Sequence, residues 1–231
     1  MELSELAFAC YIYERIGGYD ESLYKFRENT KPNLDIRKPE HRIELLKWLN
    51  KWGCRQFAKE YHILASKEIK CWYEECNNLI FLKDRCLLEL SENELESASK
   101  AYLKLTNKIA SKKKVKNKEL NIRIGATGAA KILFALRPKA SIIWDGKIRK
   151  KKCLDESSTS YKNFHLLVKN MLEEIRESCL RNDFNISDLP KKVGRTKSSL
   201  VKLIDEYFWV TITRNCPAPT RCELERWRGW K

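Results

Sequence analysis

Backbone breakers are scarce through the middle of this 231-residue chain. Between Glu40 and Leu189 the only proline is Pro138, and the glycines there are Gly53, Gly125, Gly128 and Gly146. Proline and glycine are the residues that most often end or interrupt a helix, so this spacing leaves room for long helices. The sequence therefore predicts an all-α fold.

Apolar residues recur at helical spacing along most of the chain. The pattern predicts a first helix over residues 3–16, ended by a Gly-Gly pair, and a third that begins at Pro39. Ser91 and Glu94 have the spacing of a capping box at the start of another helix. The other predicted helices are a short one after Asp20 and those over residues 54–75, 79–90, 92–110, 160–182, 185–192 and 196–213.

One stretch, EYFWVTIT at 206–213, has the composition of a strand, although it also suits the end of a buried helix. We expect the helices to form a domain with two lobes. Residues 1–38 are expected to pack with a C-terminal lobe of residues 154–231. Residues 39–153 are expected to form the other lobe, which contains the functional segment.

Positive charge dominates the composition. The chain has 46 lysines and arginines against 31 acidic residues, a formal net charge of +15. An excess of this size favours a polyanionic partner such as nucleic acid. A single basic run is typical of a solvated face, but the runs at 110–118 and 147–152 flank the same segment. Two more basic stretches lie at 189–197 and 220–231.

Other features bear on location and cofactors. No apolar stretch approaches the ~20 residues of a membrane span, and the first residues lack the basic region of a signal peptide. Nine scattered cysteines without C-x-x-C spacing are typical of reduced thiols inside the cell. We therefore expect a cytoplasmic monomer with no membrane partner, no metal and no cofactor.

Residues 125–152 read GATGAAKILFALRPKASIIWDGKIRKKK. A short apolar run leads through Trp144 to Asp145, a lone carboxylate among cations. An aspartate before a helix is commonly an N-cap, which is the structural interpretation. The functional interpretation is that this carboxylate acts on a nucleic-acid substrate.

This segment resembles the helix-hairpin-helix DNA glycosylase superfamily. That family has a glycine turn between two helices, then an apolar run and an aspartate at a helix N-terminus. The matching residues are Gly125, Gly128, Ala130, Lys131, Ile142, Ile143, Trp144, Asp145, Ile148 and Arg149. The resemblance implies a helix-hairpin-helix motif that binds DNA phosphate with backbone N–H groups.

The segment also departs from the family pattern. Two residues separate the glycines where the family usually has one, and Asp145 follows Gly128 by 17 positions, a few fewer than usual. Ala130 stands where bifunctional members have the lysine that attacks the sugar, and Lys131 lies about 100° further around a helix. The resemblance therefore implies a monofunctional enzyme.

The resemblance makes Asp145 the catalytic residue, because a carboxylate beside the deoxyribose stabilises oxocarbenium character as the N-glycosidic bond breaks. The base must first leave the stack and enter a pocket. Implied DNA contacts are Gly125, Thr127, Gly128, Lys131, Lys147, Arg149 and Lys150. Candidate pocket residues, chosen because amides read base edges and aromatic rings stack on bases, are Asn50, Trp52, Arg55, Trp144 and Tyr161, although Trp48, Trp52 and Trp144 also suit the core.

The sequence thus predicts a monofunctional DNA glycosylase that leaves an abasic site in duplex DNA. Residues 48–56 (WLNKWGCRQ) resemble a stretch of bacterial glycosylase-like proteins of phage defence, which favours a modified pyrimidine of phage DNA, such as glucosylated hydroxymethylcytosine. Three alternatives stay open: repair of alkylated or deaminated bases, a non-catalytic DNA-binding protein, and an RNA-directed partner of a ribonucleoprotein.

Overall fold

A computed structural model describes residues 1–81, 84–116, 118–217 and 220–228. In these ranges the protein is mostly helical, as predicted, with one two-stranded sheet. The helices are α1 (Leu3–Ile16), α2 (Asp20–Asn29), α3 (Pro39–Lys51), α4 (His62–Cys76), α5 (Glu92–Thr106), α6 (Gly125–Leu136), α7 (Gly146–Lys151), α8 (Ser158–Arg181), α9 (Leu189–Lys192), α10 (Leu200–Phe208) and α11 (Arg221–Arg228). Single 3-10 turns cover Lys59–Tyr61, Asn77–Leu79, Leu87–Glu89 and Ile186–Asp188.

The N-termini of α3 and α5 lie at the proline and the capping box from which the sequence predicted them. Pro39 occupies the first turn of α3. At the start of α5, Oγ of Ser91 accepts a hydrogen bond from the backbone N–H of Glu94, whose Oε2 accepts one from the N–H of Ser91 in return. These two bonds satisfy N–H groups that a helix N-terminus otherwise leaves unpaired.

The lysine run forms a β-hairpin that the sequence did not predict. Strand β1 (Ile109–Val115) pairs antiparallel with β2 (Lys118–Arg123). Its root is anchored through Gln56, whose backbone carbonyl accepts a hydrogen bond from Ser111 and whose side chain donates one to the carbonyl of Ile124. The outer part of the hairpin is exposed on both faces, so its lysines project from the body.

One predicted helix needs correction, because residues 79–90 do not form a helix in their described part, where the backbone N–H of Leu87 donates to the carbonyl of Lys139, a distant loop residue. Residues 206–213 are helical, as the predicted helix over 196–213 has them: α10 continues into a wide π-helical turn at Trp209–Thr213. Their strand-like composition reflects burial inside the fold, which aromatic and β-branched side chains suit in either structure.

Buried side chains from α1 through α10 form one large core cluster. The chain returns on itself, since α1 packs against α10 and α5 packs against α8. Among the described residues the core therefore runs through all three segments, 1–38, 39–153 and 154–231. A small second cluster consists of Ala9, Tyr13 and Val210.

None of the described helices combines the length and apolar character needed to cross a membrane. In the same ranges no group of three or more metal-binding side chains comes together. All nine cysteines are free thiols.

Candidate active site

The glycine segment differs from its predicted geometry. The sequence predicted that Gly125 and Gly128 would form a turn between two helices, but β2 leads directly into α6 and both glycines lie in its first turn. Gly125 has a φ of +67°, the left-handed conformation that glycine adopts without strain. Gly128 is buried against Gln56 and Phe57, so it serves packing and is not an exposed phosphate contact.

Asp145 is the N-cap of α7, as the structural interpretation expected. Its Oδ1 accepts a hydrogen bond from the backbone N–H of Ile148 at 2.8 Å. Its Oδ2 accepts one from the hydroxyl of Thr213 at 2.7 Å. A carboxylate has about four lone-pair positions, so both oxygens keep acceptor capacity. Asp145 is half-buried and lines a cavity of about 240 Å³.

This cavity is bounded mainly by aromatic and charged side chains. It is lined by Tyr13, Tyr19, Trp52, Gly53, Thr127, Lys131, Ile143, Asp145, Ile148, Asp205, Trp209 and Thr213. The lining comes from α1, α6, α7, α10, the π-helical turn, and the loops after α1, α3 and α6. Pockets for drug-sized ligands span roughly 300–1,000 Å³. The smaller volume suits a planar group of the size of a nucleobase.

Four of these rings form an aromatic wall, which we call the aromatic cage: Tyr13, Tyr19, Trp52 and Trp209. The Tyr13 and Trp209 centroids are 5.2 Å apart with their planes at 82°. Tyr19 meets Trp52 at 5.7 Å and Trp209 at 5.9 Å, again edge to face. Edge-to-face packing fixes ring orientation, so the cage offers a preformed apolar surface to a planar ligand.

Buried charges lie in and behind the cavity wall, where Lys131 and Asp205 line the cavity and Lys202 and Glu206 pack beside Asp205. The ammonium of Lys131 donates a hydrogen bond to the backbone carbonyl of Trp52. Nζ of Lys202 lies 2.8 Å from Oδ2 of Asp205 and 3.6 Å from Oε1 of Glu206. Burial lowers the pKa of Lys202, but the two carboxylates raise it by more, so the pKa lies above its ordinary value and the ammonium stays charged.

A buried arginine completes this charged network. Arg195 lies 2.8 Å from Oε1 of Glu206 and also contacts Asp20 at the start of α2. Glu206 is fully buried, so its charge depends on these cations for compensation. The network joins α2 to α10 and thereby holds the cage residues on the neighbouring loops in place.

The structure brings four predicted site residues to this cavity: Trp52, Thr127, Lys131 and Asp145. Lys131 was predicted as a DNA contact, but it is 8% exposed and its ammonium is engaged inside the wall. Arg149 links two neighbours, since it donates to the hydroxyl of Thr127 at 3.1 Å and to Glu156 at 2.8 Å. Arg149 is half-buried, and these bonds hold its side chain beside the cavity.

The other predicted pocket residues lie elsewhere. Trp144 is fully buried and stacks on Phe164, and Tyr161 stacks on Tyr102 at 3.9 Å, so both belong to the core. Asn50 donates to the backbone carbonyl of Phe57 and lines a different cavity of about 770 Å³. Arg55 is exposed and is not part of the cavity wall.

The basic surface beside Asp145 comes from α7 and the hairpin. Lys147 and Lys150 are exposed, and Nζ of Lys147 donates to the carbonyl of Thr213 at 2.9 Å. On the hairpin, Lys113, Lys114 and Lys118 are exposed. None of these three forms an ion pair within the described ranges. The hairpin root and the cavity share the loop after α3, because Gly53 lines the cavity and Gln56 anchors the hairpin.

Sequence reasoning missed Tyr13, Tyr19, Asp205, Trp209 and Thr213. These residues lie at the two ends of the chain and meet only because α1 packs against α10. The aromatic content of residues 207–213 was the available signal, but placing this stretch in a helix did not indicate which of its side chains would line a cavity.

Comparisons with protein-family models, with curated proteins and with solved structures gave no match to this chain.

Proposed function

We propose that this protein is a monofunctional DNA glycosylase and that Asp145 is its catalytic residue. The observation that carries the proposal is the position of this carboxylate in the wall of an aromatic cavity, beside exposed lysines. A flipped base fills the cage, and its deoxyribose lies at Asp145.

The chemistry is hydrolysis of the bond between C1′ of the deoxyribose and the base nitrogen. As that bond breaks, its electron pair leaves with the base, and positive charge develops on the sugar ring. The Asp145 carboxylate stabilises this charge and accepts a proton from the attacking water, whose oxygen forms the new bond to C1′. The base takes up a proton, and the products are the free base and an abasic site.

The DNA is held by the exposed lysines of α7 and the hairpin, including Lys147, Lys150 and Lys113. Each phosphate that such a cation neutralises releases condensed counterions, which makes the binding salt-dependent. A two-stranded ribbon fits the major groove of B-DNA, so the hairpin suits duplex contact in shape as well as in charge.

The preferred substrate is a modified pyrimidine of phage DNA, which would make the protein part of antiviral defence. This preference rests on the resemblance of residues 48–56. Excision of an alkylated or deaminated base in repair is the alternative within the same reaction class. Asp145 has the same role with either class of substrate.

The test is base release from oligonucleotide duplexes that carry a panel of single modified bases, detected as alkali-labile abasic sites. Asp145→Asn is the informative variant, because asparagine is also a good N-cap whose oxygen accepts from Ile148, and its NH₂ group can donate to the Thr213 hydroxyl, while the charge is lost. Asp183→Asn, at an exposed position far along the sequence, is the matched control. We expect release by the wild type and the control, and loss of release in Asp145→Asn with DNA binding retained.

A second candidate is a non-catalytic DNA-binding protein. One observation favours it: both oxygens of Asp145 already accept hydrogen bonds inside the protein, which is sufficient for a purely structural role. Tight duplex binding with no release from any member of the panel, by wild type and variants alike, would establish this candidate. If RNA competes for the bound protein more strongly than DNA does, the partner is RNA.

A further inference from the structure

The cavity contains a second carboxylate, Asp205, which the proposed reaction leaves unused. The residue is 7% exposed and belongs to the cavity wall. Its Oδ2 accepts a hydrogen bond from Nζ of Lys202 at 2.8 Å. Its Oδ1 has no hydrogen-bond partner among the described residues. Asp205 lines the cavity, and its Oδ1 is not among the fully buried side-chain atoms that lack a partner. This charged oxygen is therefore accessible to a ligand in the cavity, and a ligand that donates a hydrogen bond to it gains binding energy there.

The aromatic cage limits the kind of ligand that fits. Nζ of Lys202 lies 4.1 Å from the Tyr13 ring centroid and 5.6 Å from that of Trp52, and Nζ of Lys131 lies 5.7 Å from Trp52. These ammonium groups already use the negative faces of both rings. A cationic ligand would therefore gain little further attraction from these two rings. The cage therefore favours a neutral planar ring.

Acceptor and donor groups then select among neutral bases. Asp205 offers an acceptor, and an exocyclic amino group of cytosine or adenine is the base-edge donor that carboxylates accept from in DNA recognition. A uracil or hypoxanthine ring presents a carbonyl oxygen in the same place, and its lone pairs would face the carboxylate. The ring N–H of a keto base lies beside that carbonyl, so it is a poorer match for Asp205.

We propose that Asp205 is a specificity-determining residue that binds the exocyclic amino group of the base in the cavity. The substrate class is then the amino-bearing bases, derivatives of cytosine or adenine, and their keto counterparts are rejected. This inference rests on the proposed function for its biological meaning, but the binding preference is a property of the cavity alone.

The binding preference is measured without catalysis, by titration of free nucleosides against the intrinsic fluorescence of Trp52 and Trp209, which line the cavity. The probes are two matched pairs, deoxycytidine with deoxyuridine and deoxyadenosine with deoxyinosine. A hydrogen bond to a charged group supports about 10- to 100-fold discrimination. We expect preference of that order for the amino member of at least one pair.

The variant is Asp205→Asn, whose amide presents both a donor and an acceptor and still accepts from Lys202. The amino-over-keto preference should shrink to about threefold or less, because the amide NH₂ can donate to a carbonyl oxygen. Asp183→Asn should keep the wild-type preference. Circular dichroism and thermal melting establish that each variant is folded. If Asp205→Asn is not folded, the wild-type pairs decide the question alone.

Equal binding of both members of each pair by the wild type, or binding of neither, would overturn the proposal. So would an unchanged preference in a folded Asp205→Asn protein.

Failure of the proposed function gives a different result. If nucleosides are discriminated but no duplex base is released, the glycosylase assignment falls and the Asp205 assignment stands. If cytosine and uracil derivatives are released at the same rate, the glycosylase assignment stands and the Asp205 assignment falls.

Discussion

The hydroxyl of Thr213 donates a hydrogen bond to Oδ2 of Asp145 at 2.7 Å, although the residues are 68 positions apart in the sequence. Thr213 is the last residue of the π-helical turn after α10, and Asp145 precedes α7. The backbone carbonyl of the same threonine accepts a hydrogen bond from Lys147. One bond thus orients the candidate catalytic carboxylate, and the other ties the same threonine to α7.

Replacement of Thr213 by valine should therefore weaken the proposed reaction while duplex binding stays within about twofold. The variant keeps the shape of the side chain but loses a hydrogen bond to a charged group, worth roughly 1.5–3 kcal/mol. Part of that loss should appear in the transition state, so single-turnover base release should slow by about tenfold. The measurement is the rate of abasic-site formation at saturating protein.

Thr211→Val is the matched control for this variant. The hydroxyl of Thr211 donates to the carbonyl of Tyr207 within its own helix, so its loss removes a similar bond away from Asp145. Release at the wild-type rate is expected there. Equal slowing by both variants would mean that the turn, and not the bond to Asp145, is what matters.

The exposed lysines of the hairpin should set part of the salt dependence of DNA binding. A triple variant, Lys113→Ala, Lys114→Ala and Lys118→Ala, should reduce the magnitude of the slope of log K against log salt by up to ~2.7, because each phosphate that a lysine neutralises contributes about 0.9 to that slope. Fluorescence anisotropy with labelled duplex at several salt concentrations measures this slope.

A charge-matched control separates local contact from total charge. Lys67, Lys70 and Lys100 are exposed on α4 and α5, and their replacement by alanine removes the same three charges. The slope of that variant should stay within about 0.5 of the wild type if each lysine contributes only by direct phosphate contact. Equal changes in both triple variants would show that net charge alone governs binding.

Helix positions were largely predictable from the sequence because they depend on local features. The range of α1, the proline at the start of α3 and the capping box of α5 all depend on residues within a few positions. The hairpin was not predicted because its residues carry no local pattern that marks a strand. Lysine-rich strands that face solvent on both sides lack the apolar alternation that marks a half-buried strand.

The candidate site was only partly predictable because it is assembled from the ends of the chain. Asp145 stood out through its basic surroundings, whereas Thr127 entered only as a DNA contact that the family resemblance implied. Tyr13 and Trp209 carry no local sign that they will meet, and their contact depends on the packing of α1 against α10. Trp144 shows the converse error, since its position next to the catalytic candidate suggested a pocket wall, whereas its ring packs in the core.

Gly128 provides a test of its packing role. A Cβ at this position would lie 2.7 Å from Nε2 of Gln56 and 3.1 Å from Cγ2 of Ile124. The first contact would displace the amide that donates to the Ile124 carbonyl at the hairpin root. Overpacking of this kind costs about 1–3 kcal/mol, against a gain of up to ~1 kcal/mol in helix propensity. With the middle of the cost range and the full gain, Gly128→Ala should lower the free energy of unfolding by about 1 kcal/mol.

Urea denaturation measures that change, and Gly146→Ala is its control. Gly146 is exposed, and the nearest heavy atom to an added Cβ is a flexible guanidinium nitrogen of Arg149 at 3.8 Å. The control should be as stable as the wild type, or more stable by up to ~1 kcal/mol. A Gly128→Ala protein of undiminished stability would contradict the close packing at this position.

His165 should make the stability of the fold depend on pH. Its ring is 1% exposed, and it lies between the backbone carbonyl of Tyr161, 2.9 Å from Nδ1, and the backbone N–H of Ile142, 3.4 Å from Nε2. A neutral imidazole with the proton on Nδ1 satisfies both contacts. Burial lowers the pKa of His165 to about 4, although the hydrogen bond to Tyr161 opposes this shift.

The sign of the pH effect follows from this lowered pKa. An unfolded histidine has a pKa of about 6.5, so between pH 6.5 and 4 the unfolded chain binds a proton that the folded protein does not. The free energy of unfolding should therefore decrease by about 2 kcal/mol between pH 8 and pH 5 through this residue. His165→Gln should lose that component in urea denaturation at the two pH values, whereas His62→Gln should retain it. If His165→Gln shows the same decrease as the wild type, other groups cause the pH dependence and the imidazole does not titrate as its burial requires.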